Sequence, residues 1–421
     1  MAERKLQLSG WGGYLKSYTQ ALPYPGQITG TGIARGLGRS YGDASFCEQG
    51  QTWLMREHRA ILSIEEGTLI AEAGASLREV LQHIIPKGWF LPVVPGTQFI
   101  TLGGAFASNI HGKNHHEAGG FADHVRWIEL RLPSGELHKL TPNDELFWAT
   151  AGGMGLTGVI ERLAIRLMPI SSSQVYYQIQ KLPDWDAVLS AVEAGEKSFP
   201  YAVAWIDHTH PRNRGILHLG RFTENGILQT RKPWTLPLPF TPPFSLIGKL
   251  TTQLICEQYW HSHIEGTHLT SFEKYFFPLD KLPNWNRLWG RRGFIQFQFV
   301  VRQVSSLERL WSRLRTAPAR SFLTVLKQLR FQRGPLAFSG PGWTLAIDLP
   351  ATPEIQRFFI RLTDTVIEEN GRIYLTKDSL LLPQQAQAMY PEWEAFRHLK
   401  ARIDPHQRLR SNLSDRLRLT E

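Results

Sequence analysis

The stretch PGTQFITLGGAFASNIHGKNHH, residues 95–116, decides the fold that we predict for this chain. It has few bulky side chains, and Gly96, Gly103 and Gly104 allow its backbone to approach a ligand closely. A lone glycine-rich loop is more often a turn than a binding site. However, a second loop, RGLGRSYGD at residues 35–43, again bares backbone amides beside arginines, which is typical of an anion-binding nest. Together the loops predict a diphosphate cofactor held between them.

Composition limits the classes of protein that fit the sequence. A chain of 421 residues is long enough for about two domains with ample core. The net charge of +10 favours anionic partners, but long basic runs and nucleic-acid-binding motifs are absent, so we do not expect nucleic acid as a partner. The cysteines are Cys47 and Cys256, and the sequence opens without an apolar leader. We therefore expect reduced thiols and a cytoplasmic location.

The N-terminal part has an α+β pattern of short strands and few helices. Ser76 and Glu79 form a capping box for an amphipathic helix, and Gly88 ends it. A β-hairpin is predicted at 125–140, and a third glycine cluster follows at 152–158. The βαβ alternation and the G-x-G-x-x-G motif of a Rossmann fold are absent from this sequence.

The middle of the chain is less regular. We predict a helix at 185–194 with Gly195 as its stop. The segment 231–248 is rich in proline and aromatic residues, so regular structure is not expected there. A mobile flap over the site, a membrane-touching loop and a plain surface loop all remain open for this segment.

Residues 293–375 give the clearest pattern in the chain. The elements predicted in this segment are, in order, a strand at 295–301, a helix capped by Ser305 and Glu308, strands at 322–327 and 343–349, a helix from Pro353 and a strand at 372–375. This βαββαβ order predicts a ferredoxin-like antiparallel sheet with helices on one face, so the other face should cover a site. The sequence shows no internal repeat.

Polar residues on that second face are candidate substrate contacts. Gln296 and Gln298 alternate with apolar residues, Lys327 ends a strand, and Lys377 follows the last strand. Either lysine alone would more often be a surface residue. In a partly desolvated pocket, lysine either has its pKa lowered or stays charged to hold a phosphate. We favour phosphate or hydroxyl binding for Lys327, and orientation or proton handling for Lys377.

The neighbouring histidines raise the question of a metal site. His111 and His115 stand four residues apart, but the glycines around them argue against a helix that would align them. We therefore predict no metal ligands. His111 is expected to contact a cofactor or a substrate hydroxyl instead.

Several motifs together resemble a known family. They are RGLGRSYGD (35–43), LPVVPGTQFITLGGAFASNIHGKNHH (91–116), DELFWATAGGMGLTG (144–158), FIQFQFV (294–300), PGWTLAIDLP (341–350) and YLTKDS (374–379). The chain resembles the decaprenylphosphoryl-β-D-ribose 2′-oxidase family, a branch of the FAD flavoproteins of the vanillyl-alcohol-oxidase type. The resemblance implies an FAD-binding domain at 1–170, to which 371–421 returns. It also implies a substrate domain at 171–370, with an antiparallel sheet covered by helices.

The resemblance also assigns site residues by position. The residues that would bind FAD are Arg35, Gly36, Leu37, Gly38, Arg39, Ser40, Tyr41, Gly42, Asp43, Gly96, Thr97, Thr101, Leu102, Gly103, Gly104, Ser108, Asn109, His111, Gly112, Gly158, Ile160 and Tyr374. Those that would face the substrate are Lys113, Gln296, Gln298, Lys327, Thr344 and Lys377. Direct roles in the reaction would fall to Lys377, His111 and Tyr41.

The sequence departs from its relatives at two informative positions. Many FAD oxidases of this type attach the cofactor through a histidine in the first loop, where this chain has Arg39, so we predict non-covalent FAD. The best-known members of the branch carry a reactive cysteine where this chain has Ala346. Hydride chemistry does not need that thiol, so turnover is still expected, but inhibition by cysteine trapping is not.

The implied reaction moves a hydride from the ribose C2 to flavin N5, after which a partner NAD(P)-dependent keto-sugar reductase completes an epimerisation to arabinose. A polyprenyl-phosphate sugar is the expected substrate, with peripheral contact at the inner face of the membrane. An oxidase of free alditols or sugar lactones is the alternative within enzymes. A glycan- or lipid-phosphate-binding flavoprotein without catalytic activity is the alternative from another class.

Overall fold

The computed structural model describes residues 5–230 and 235–420. Short strands dominate the part of the chain before residue 170. The strands are β1 (Leu6–Ser9), β2 (Lys16–Pro23), β3 (Gly32–Arg35), β4 (Gln51–Leu54), β5 (Ile61–Glu65), β6 (Thr68–Glu72), β7 (Trp89–Phe90), β8 (Val125–Arg131), β9 (Leu137–Leu140), β10 (Val159–Arg166) and β11 (Met168–Pro169). The helices are α1 (Leu77–Ile84), α2 (Leu102–Ala107), α3 (His115–Ala118) and α4 (Glu145–Thr150), with 3-10 turns at Met55–Glu57, Ile85–Lys87 and Phe121–His124.

These strands form separate sheets. One has the order β1-β2-β4-β3, with β4 parallel to both of its neighbours, and another is antiparallel with the order β5-β6-β10-β8-β9. The predicted hairpin is confirmed as β8 and β9. The predicted capping box of α1 is confirmed as well, because the Ser76 hydroxyl accepts from the Glu79 N–H at 3.2 Å and the Glu79 carboxylate accepts from the Ser76 N–H at 2.8 Å.

Longer strands form the rest of the described chain. They are β12 (Gln174–Leu182), β13 (Tyr201–Ile206), β14 (Gly215–Phe222), β15 (Gly266–Ser271), β16 (Phe294–Val301), β17 (Thr324–Leu329), β18 (Gly342–Pro350) and β19 (Arg372–Ile373). The helices are α5 (Trp185–Ser198), α6 (Lys249–Ser262), α7 (Phe272–Phe276), α8 (Val304–Leu314), α9 (Pro353–Glu368), α10 (Pro383–Met389), α11 (Trp393–Ile403) and α12 (Asn412–Arg416), with 3-10 turns at Pro278–Lys281 and Trp285–Trp289.

Strands β12 to β19 join in one large antiparallel sheet of order β15-β12-β14-β13-β17-β18-β16-β19. Its second half, β17-β18-β16-β19, has the strand order of a ferredoxin-like unit. Helices α8 and α9 pack on one face through residues such as Leu310 and Phe359, against Phe297 and Leu345. The predicted α+β class, with an antiparallel sheet covered by helices, is confirmed.

The first half of this sheet repeats the same order as β13-β14-β12-β15, although the sequence shows no repeat. The halves meet where β13 pairs with β17. Helix α5 packs on the same face as α8 and α9, through Val188 and Val192. Helix α6 packs on the opposite face, where Cys256 and Tyr259 meet Trp205. The halves therefore share strand order but differ in where their second helix lies.

Some local predictions are wrong. Gly195 does not stop α5, which continues to Ser198. The glycine serves packing instead, because a side chain there would overlap Leu219. Ser305 and Glu308 do not cap α8, whose N-cap is Gln303 with no side-chain cap. The strand predicted at 372–375 is shorter, since β19 ends at residue 373 and the chain then turns.

The sequence also missed a helix after the proline-rich segment. Residues 231–234 of that segment lie outside the described residues, and 235–248 contain no helix or strand, as predicted. Helix α6 follows directly. A weak amphipathic pattern explains the omission, because its buried residues are few and Leu250 and Leu254 are exposed.

The C-terminal segment returns to the N-terminal part of the chain. Gly32 bridges Leu409, and the Arg416 guanidinium donates to the Asp43 and Asp378 carboxylates at 2.8 and 2.9 Å. The division into 1–170 with 371–421, and 171–370, stays a prediction. In the described part of the chain, helices that are both long and apolar enough to cross a membrane are absent.

Candidate active site

A cavity of about 840 Å³ lies between the glycine-rich loops and one face of the large sheet. Its volume is typical of sites that bind cofactors and substrates. Most of the predicted site residues line it: Gly36, Leu37, Gly38, Arg39, Ser40, Tyr41, Gly96, Thr97, Thr101, Gly103, Gly104, Ser108, His111, Gly112, Lys113, Gly158, Ile160, Gln296, Gln298, Lys327, Thr344, Tyr374 and Lys377.

Arg35, Gly42 and Asp43 lie behind the first loop and not in the cavity wall. The Arg35 guanidinium donates to the Ser45 hydroxyl at 2.8 Å, which fixes the shape of the loop. Gly42 leaves no room for a side chain beside a neighbouring backbone carbonyl. Asp43 is buried in an ion pair with Arg416. The structure gives these residues a supporting position behind the loop, and their predicted contact with the cofactor stays a prediction.

Leu102 and Asn109 also lie outside the wall. Leu102 is fully buried in the apolar core around α2. The Asn109 side chain accepts from the Ala122 N–H at 3.1 Å, and its backbone has a φ of 37°. Both residues support the second loop from behind, and their predicted contact with the cofactor stays a prediction.

The first loop fits the diphosphate of FAD. Within the described residues, the backbone N–H groups of 37–40 donate to no protein acceptor, although these residues line the cavity. Arg39 stacks on Trp11, with its Cζ 3.8 Å from the ring centroid, and its Nε donates to the Phe99 carbonyl at 3.2 Å. Unpaired amides that face a wall of small residues form an anion-binding nest. This donor set is the one that a diphosphate requires.

A hydrogen-bonded row of side chains occupies the wall formed by the large sheet. Lys327 Nζ lies 2.7 Å from His111 Nδ1 and donates to the Gly112 carbonyl at 2.8 Å. Gln298 Nε2 lies 3.0 Å from His111 Nε2 and donates to the Thr344 hydroxyl at 3.1 Å. Both ring nitrogens of His111 are therefore engaged, which suits this histidine to orientation.

The charge states in this row follow from burial. Burial, with Lys327 close by, lowers the pKa of His111 well below its usual value, so the imidazole is neutral at pH 7. Burial and the charges of Lys113 and Lys377 lower the pKa of Lys327 to about 7. The Gln298 amide nitrogen only donates, so it occupies the lone pair of His111 Nε2 and the proton of the neutral ring lies on Nδ1. A neutral Lys327 can accept that proton's hydrogen bond, whereas a charged Lys327 requires the other tautomer and the Gln298 amide turned over.

The Lys377 amine faces the cavity and has no hydrogen bond within the described residues. Its Nζ lies 3.6 Å from the centroid of the Tyr41 ring, and among the described residues no acceptor lies within hydrogen-bonding distance. Burial lowers the pKa of Lys377 to about 7, and the nearby charge of Asp348 offsets part of that decrease. An amine with this pKa is about half neutral at pH 7 and can accept a proton there.

Asp348 lies behind the cavity wall, where it contacts Gln296, and our sequence analysis missed it. It is fully buried, and its Oδ1 accepts from Gln296 Nε2 at 2.6 Å. Burial raises the pKa of this carboxyl to about 7. The alternation of side chains along β18 could have indicated Asp348. Thr344, Ala346 and Asp348 are each two residues apart, so they share one face of the strand.

A group of aromatic and histidine side chains was also missed. Tyr177 of β12, His218 of β14, and Tyr259 and His263 at the end of α6 line one end of the cavity. These residues are hard to recognise from the sequence. Strand β14, which carries His218, is buried on both faces and lacks the alternation of polar and apolar residues that marks a half-buried strand.

Comparisons with known proteins agree with this geometry. The family model for the FAD binding domain matches residues 31–141, which contain both glycine-rich loops. The decaprenylphosphoryl-β-D-ribose oxidase of Mycolicibacterium smegmatis is 34% identical over 92% of this chain and 89% of that protein. An uncharacterised protein of the mprA 5′ region of Streptomyces coelicolor is 28% identical over 82% of this chain and 100% of its own length.

More distant similarity is limited to part of the chain. L-gulonolactone oxidase 3 of Arabidopsis thaliana is 24% identical over 29% of this chain and 23% of that protein. The relative from M. smegmatis, in contrast, matches both the loops that fit FAD and the sheet that bears the lysines. The chain therefore belongs to the decaprenylphosphoryl-β-D-ribose oxidase family of FAD-dependent oxidoreductases.

Proposed function

We propose that this enzyme oxidises the 2′-hydroxyl of a polyprenylphosphoryl-β-D-ribose to a ketone. The observation that carries the proposal is a single cavity that combines the FAD-binding loops with Lys113, Lys327 and Lys377. Bound FAD supplies the hydride acceptor. The relative from M. smegmatis is named for the oxidation of this class of substrate, and it matches nearly the whole chain.

The glycine-rich loops would hold FAD through the free amides of 37–40 and the small residues Gly96, Gly103 and Gly104. We infer that the cofactor is not covalently attached. Arg39 occupies the position of the linking histidine in other families, and His111 has both ring nitrogens in hydrogen bonds. Acid precipitation should release all yellow colour into the supernatant, and colour that stays with the protein would contradict this inference.

Lys377 is the proposed proton acceptor. In the reaction the carbinol C–H bond breaks with its electron pair, the O–H proton passes to the neutral Lys377 amine, and a C=O bond forms. Nζ of Lys377 has no competing hydrogen bond in the described part of the chain and a pKa of about 7, which matches this task. Gln298 and His111 would orient the sugar hydroxyls, because their hydrogen-bonded row fixes both side chains.

Another wall of the cavity suits a prenyl chain. Trp205, Ile255, Phe322, Leu323 and Trp285 line it and offer an apolar surface. A free alditol or sugar lactone would leave this surface exposed to water. The similarity to a gulonolactone oxidase covers only 29% of the chain, so it favours the shared cofactor and not a shared substrate.

The surface beside the cavity supports peripheral contact with a membrane. Phe240, Phe244, Leu250 and Leu254 are exposed by 66, 68, 75 and 68%, and Lys249 stands among them. Exposed apolar residues next to basic ones are typical of proteins that touch anionic lipid. We expect the enzyme to float with vesicles of anionic phospholipid, and the variant F240S/F244S to stay in the soluble fraction. Equal flotation of both proteins would contradict the proposed contact.

A keto sugar is the product, so a reductase must consume it. We propose an NAD(P)-dependent keto-sugar reductase as the functional partner, since hydride addition to the opposite face of the ketone would give arabinose. The prediction is that the oxidised lipid accumulates when this enzyme acts alone. Release of the arabinose product without a second enzyme would contradict a separate partner.

Anaerobic reduction of the bound flavin tests the substrate directly. Farnesylphosphoryl-ribose should bleach the flavin band, whereas xylitol and gulonolactone should not. Bleaching by the free polyol or lactone alone would assign the enzyme to oxidases of free sugars. Absence of bleaching by any sugar would favour a flavoprotein that only binds glycan or lipid phosphate.

A further inference from the structure

One end of the cavity forms a recess that the oxidation of a sugar does not by itself require. Tyr177, His218, Tyr259 and Tyr275 line it, and Lys113 stands at its entrance. The recess is built from β12, β14, α6 and α7, all in the first half of the large sheet. The lysines of the second half, Lys327 and Lys377, lie in the other part of the cavity wall.

A hydrogen-bond network in the recess leaves one donor unused. His218 Nδ1 lies 2.5 Å from the Tyr177 hydroxyl, and His218 Nε2 lies 3.1 Å from the Tyr259 hydroxyl. Burial lowers the pKa of His218 well below its usual value, so the ring is neutral and has one N–H and one lone pair. One tyrosine must therefore donate to the ring while the other accepts from it. The tyrosine that accepts keeps its own O–H free for a further acceptor.

Lys113 adds a cation without a counter-ion. Its Nζ donates to the Tyr275 carbonyl and lies 4.2 Å from the centroid of the Tyr275 ring. Among the described residues, no carboxylate pairs with Lys113, and the recess is lined by no Asp or Glu. Burial lowers the pKa of Lys113 to about 7, because nothing in its surroundings compensates the charge. Two N–H groups of the ammonium remain available.

The donors of this recess match a phosphodiester. Such a group carries one negative charge, and its non-bridging oxygens only accept hydrogen bonds. The recess offers the Lys113 ammonium and a free tyrosine hydroxyl as donors, and none of the residues that form it is an acceptor-only carboxylate. Lys327, the other lysine considered for phosphate, already donates to Gly112 and contacts His111. Lys113 and His111 line the same cavity, so a substrate whose hydroxyls contact His111 can present its phosphate to Lys113.

We propose that Lys113, Tyr177, His218 and Tyr259 form the subsite that binds the phosphate of the lipid-linked substrate. This proposal rests on the proposed function, because it names where the phosphate of that substrate is held. The sugar would then lie between the recess and Lys377, and the prenyl chain would leave along the apolar wall around Trp205. The subsite separates recognition of the lipid phosphate from the groups that handle the proton.

Binding of farnesyl phosphate to the FAD-loaded enzyme tests the subsite without any turnover, and at about pH 5.5 the probe is mainly the monoanion, with the single charge of the phosphodiester. Titration should perturb the flavin spectrum, and we expect binding to weaken about tenfold to a hundredfold in K113M, which loses a charge-assisted hydrogen bond. Y177F/Y259F should also weaken binding while it keeps both rings. The matched control is K139M, because Lys139 stacks on Trp127, outside the cavity wall. It should bind like the wild type.

Inorganic phosphate separates a lipid headgroup from a free anion. We expect it to bind far more weakly than farnesyl phosphate. Equal binding of the two would overturn the proposal in favour of a site for free phosphate. Unchanged farnesyl phosphate binding in both K113M and Y177F/Y259F would overturn it outright. Because no sugar is present, these outcomes do not depend on whether ribose is the group that is oxidised. With farnesylphosphoryl-ribose as substrate, K113M should raise KM much more than it lowers kcat.

Discussion

Replacement of Lys377 by methionine removes the proposed proton acceptor while keeping its length and apolar stem. We expect the rate of flavin reduction by farnesylphosphoryl-ribose to fall about 100- to 10,000-fold, the usual contribution of a positioned base. The Lys377 amine lines the cavity beside the Tyr41 ring, and burial lowers its pKa to about 7. Because burial lowers the pKa of Lys377 into the working range, its neutral fraction grows with pH, and the wild-type rate should rise between pH 6 and pH 8.

Anaerobic stopped-flow measurement of flavin bleaching between pH 5.5 and 8.5 would give both quantities, with FAD content checked by absorbance. At saturating substrate, the low K377M rate should lack the rising limb of the wild-type profile, because the titrating base is gone. K139M serves as the control and should match the wild type. Wild-type rates in K377M, or a low rate that still rises through pH 7 as in the wild type, would refute the assignment of Lys377 as the base.

Further predictions concern the groups around this amine and the loop that shapes the site. D348N removes the charge that raises the pKa of Lys377, so the rising limb of the pH profile should move about one unit or more to lower pH. A limb that does not move would exclude electrostatic coupling between Asp348 and Lys377. G42A should lower Tm and FAD content, because a Cβ there would overlap the Asp378 carbonyl, whereas G340A has open space and should change neither. A346C should make the loaded enzyme sensitive to a thiol-alkylating reagent, since position 346 lines the cavity while the native thiols are buried; an insensitive variant would contradict that exposure.

Much of the cofactor side of the site could be predicted from the sequence. Glycines and small residues in two loops signal a bare backbone directly, and the cavity does run between those loops. Burial, however, could not be assigned residue by residue. Arg35 and Asp43 belong to the same motif as Gly36 and Arg39, but they turn away from the cavity to hold Ser45 and Arg416. A motif gives the path of the backbone more reliably than the direction of each side chain.

The substrate side was predictable only where strands alternate. The second half of the large sheet has helices on one face and the cavity on the other, so Gln296, Gln298 and Lys327 could be placed by period alone. In the first half, α5 and α6 cover opposite faces and β14 is buried throughout, so His218 looks like any core residue. The recess forms only when α6 folds back over the sheet, which local pattern does not encode.

The most direct test of the central claim follows the hydrogen that leaves the sugar. Farnesylphosphoryl-ribose would be prepared with deuterium at C2′ and, separately, at C3′, and each would be mixed anaerobically with the loaded enzyme. We predict that flavin bleaching is slower with deuterium at C2′ than with unlabelled substrate, and unchanged with deuterium at C3′. Slower bleaching with the C3′ label alone, or no bleaching by either lipid while a free polyol reduces the flavin, would contradict oxidation at the ribose 2′ position.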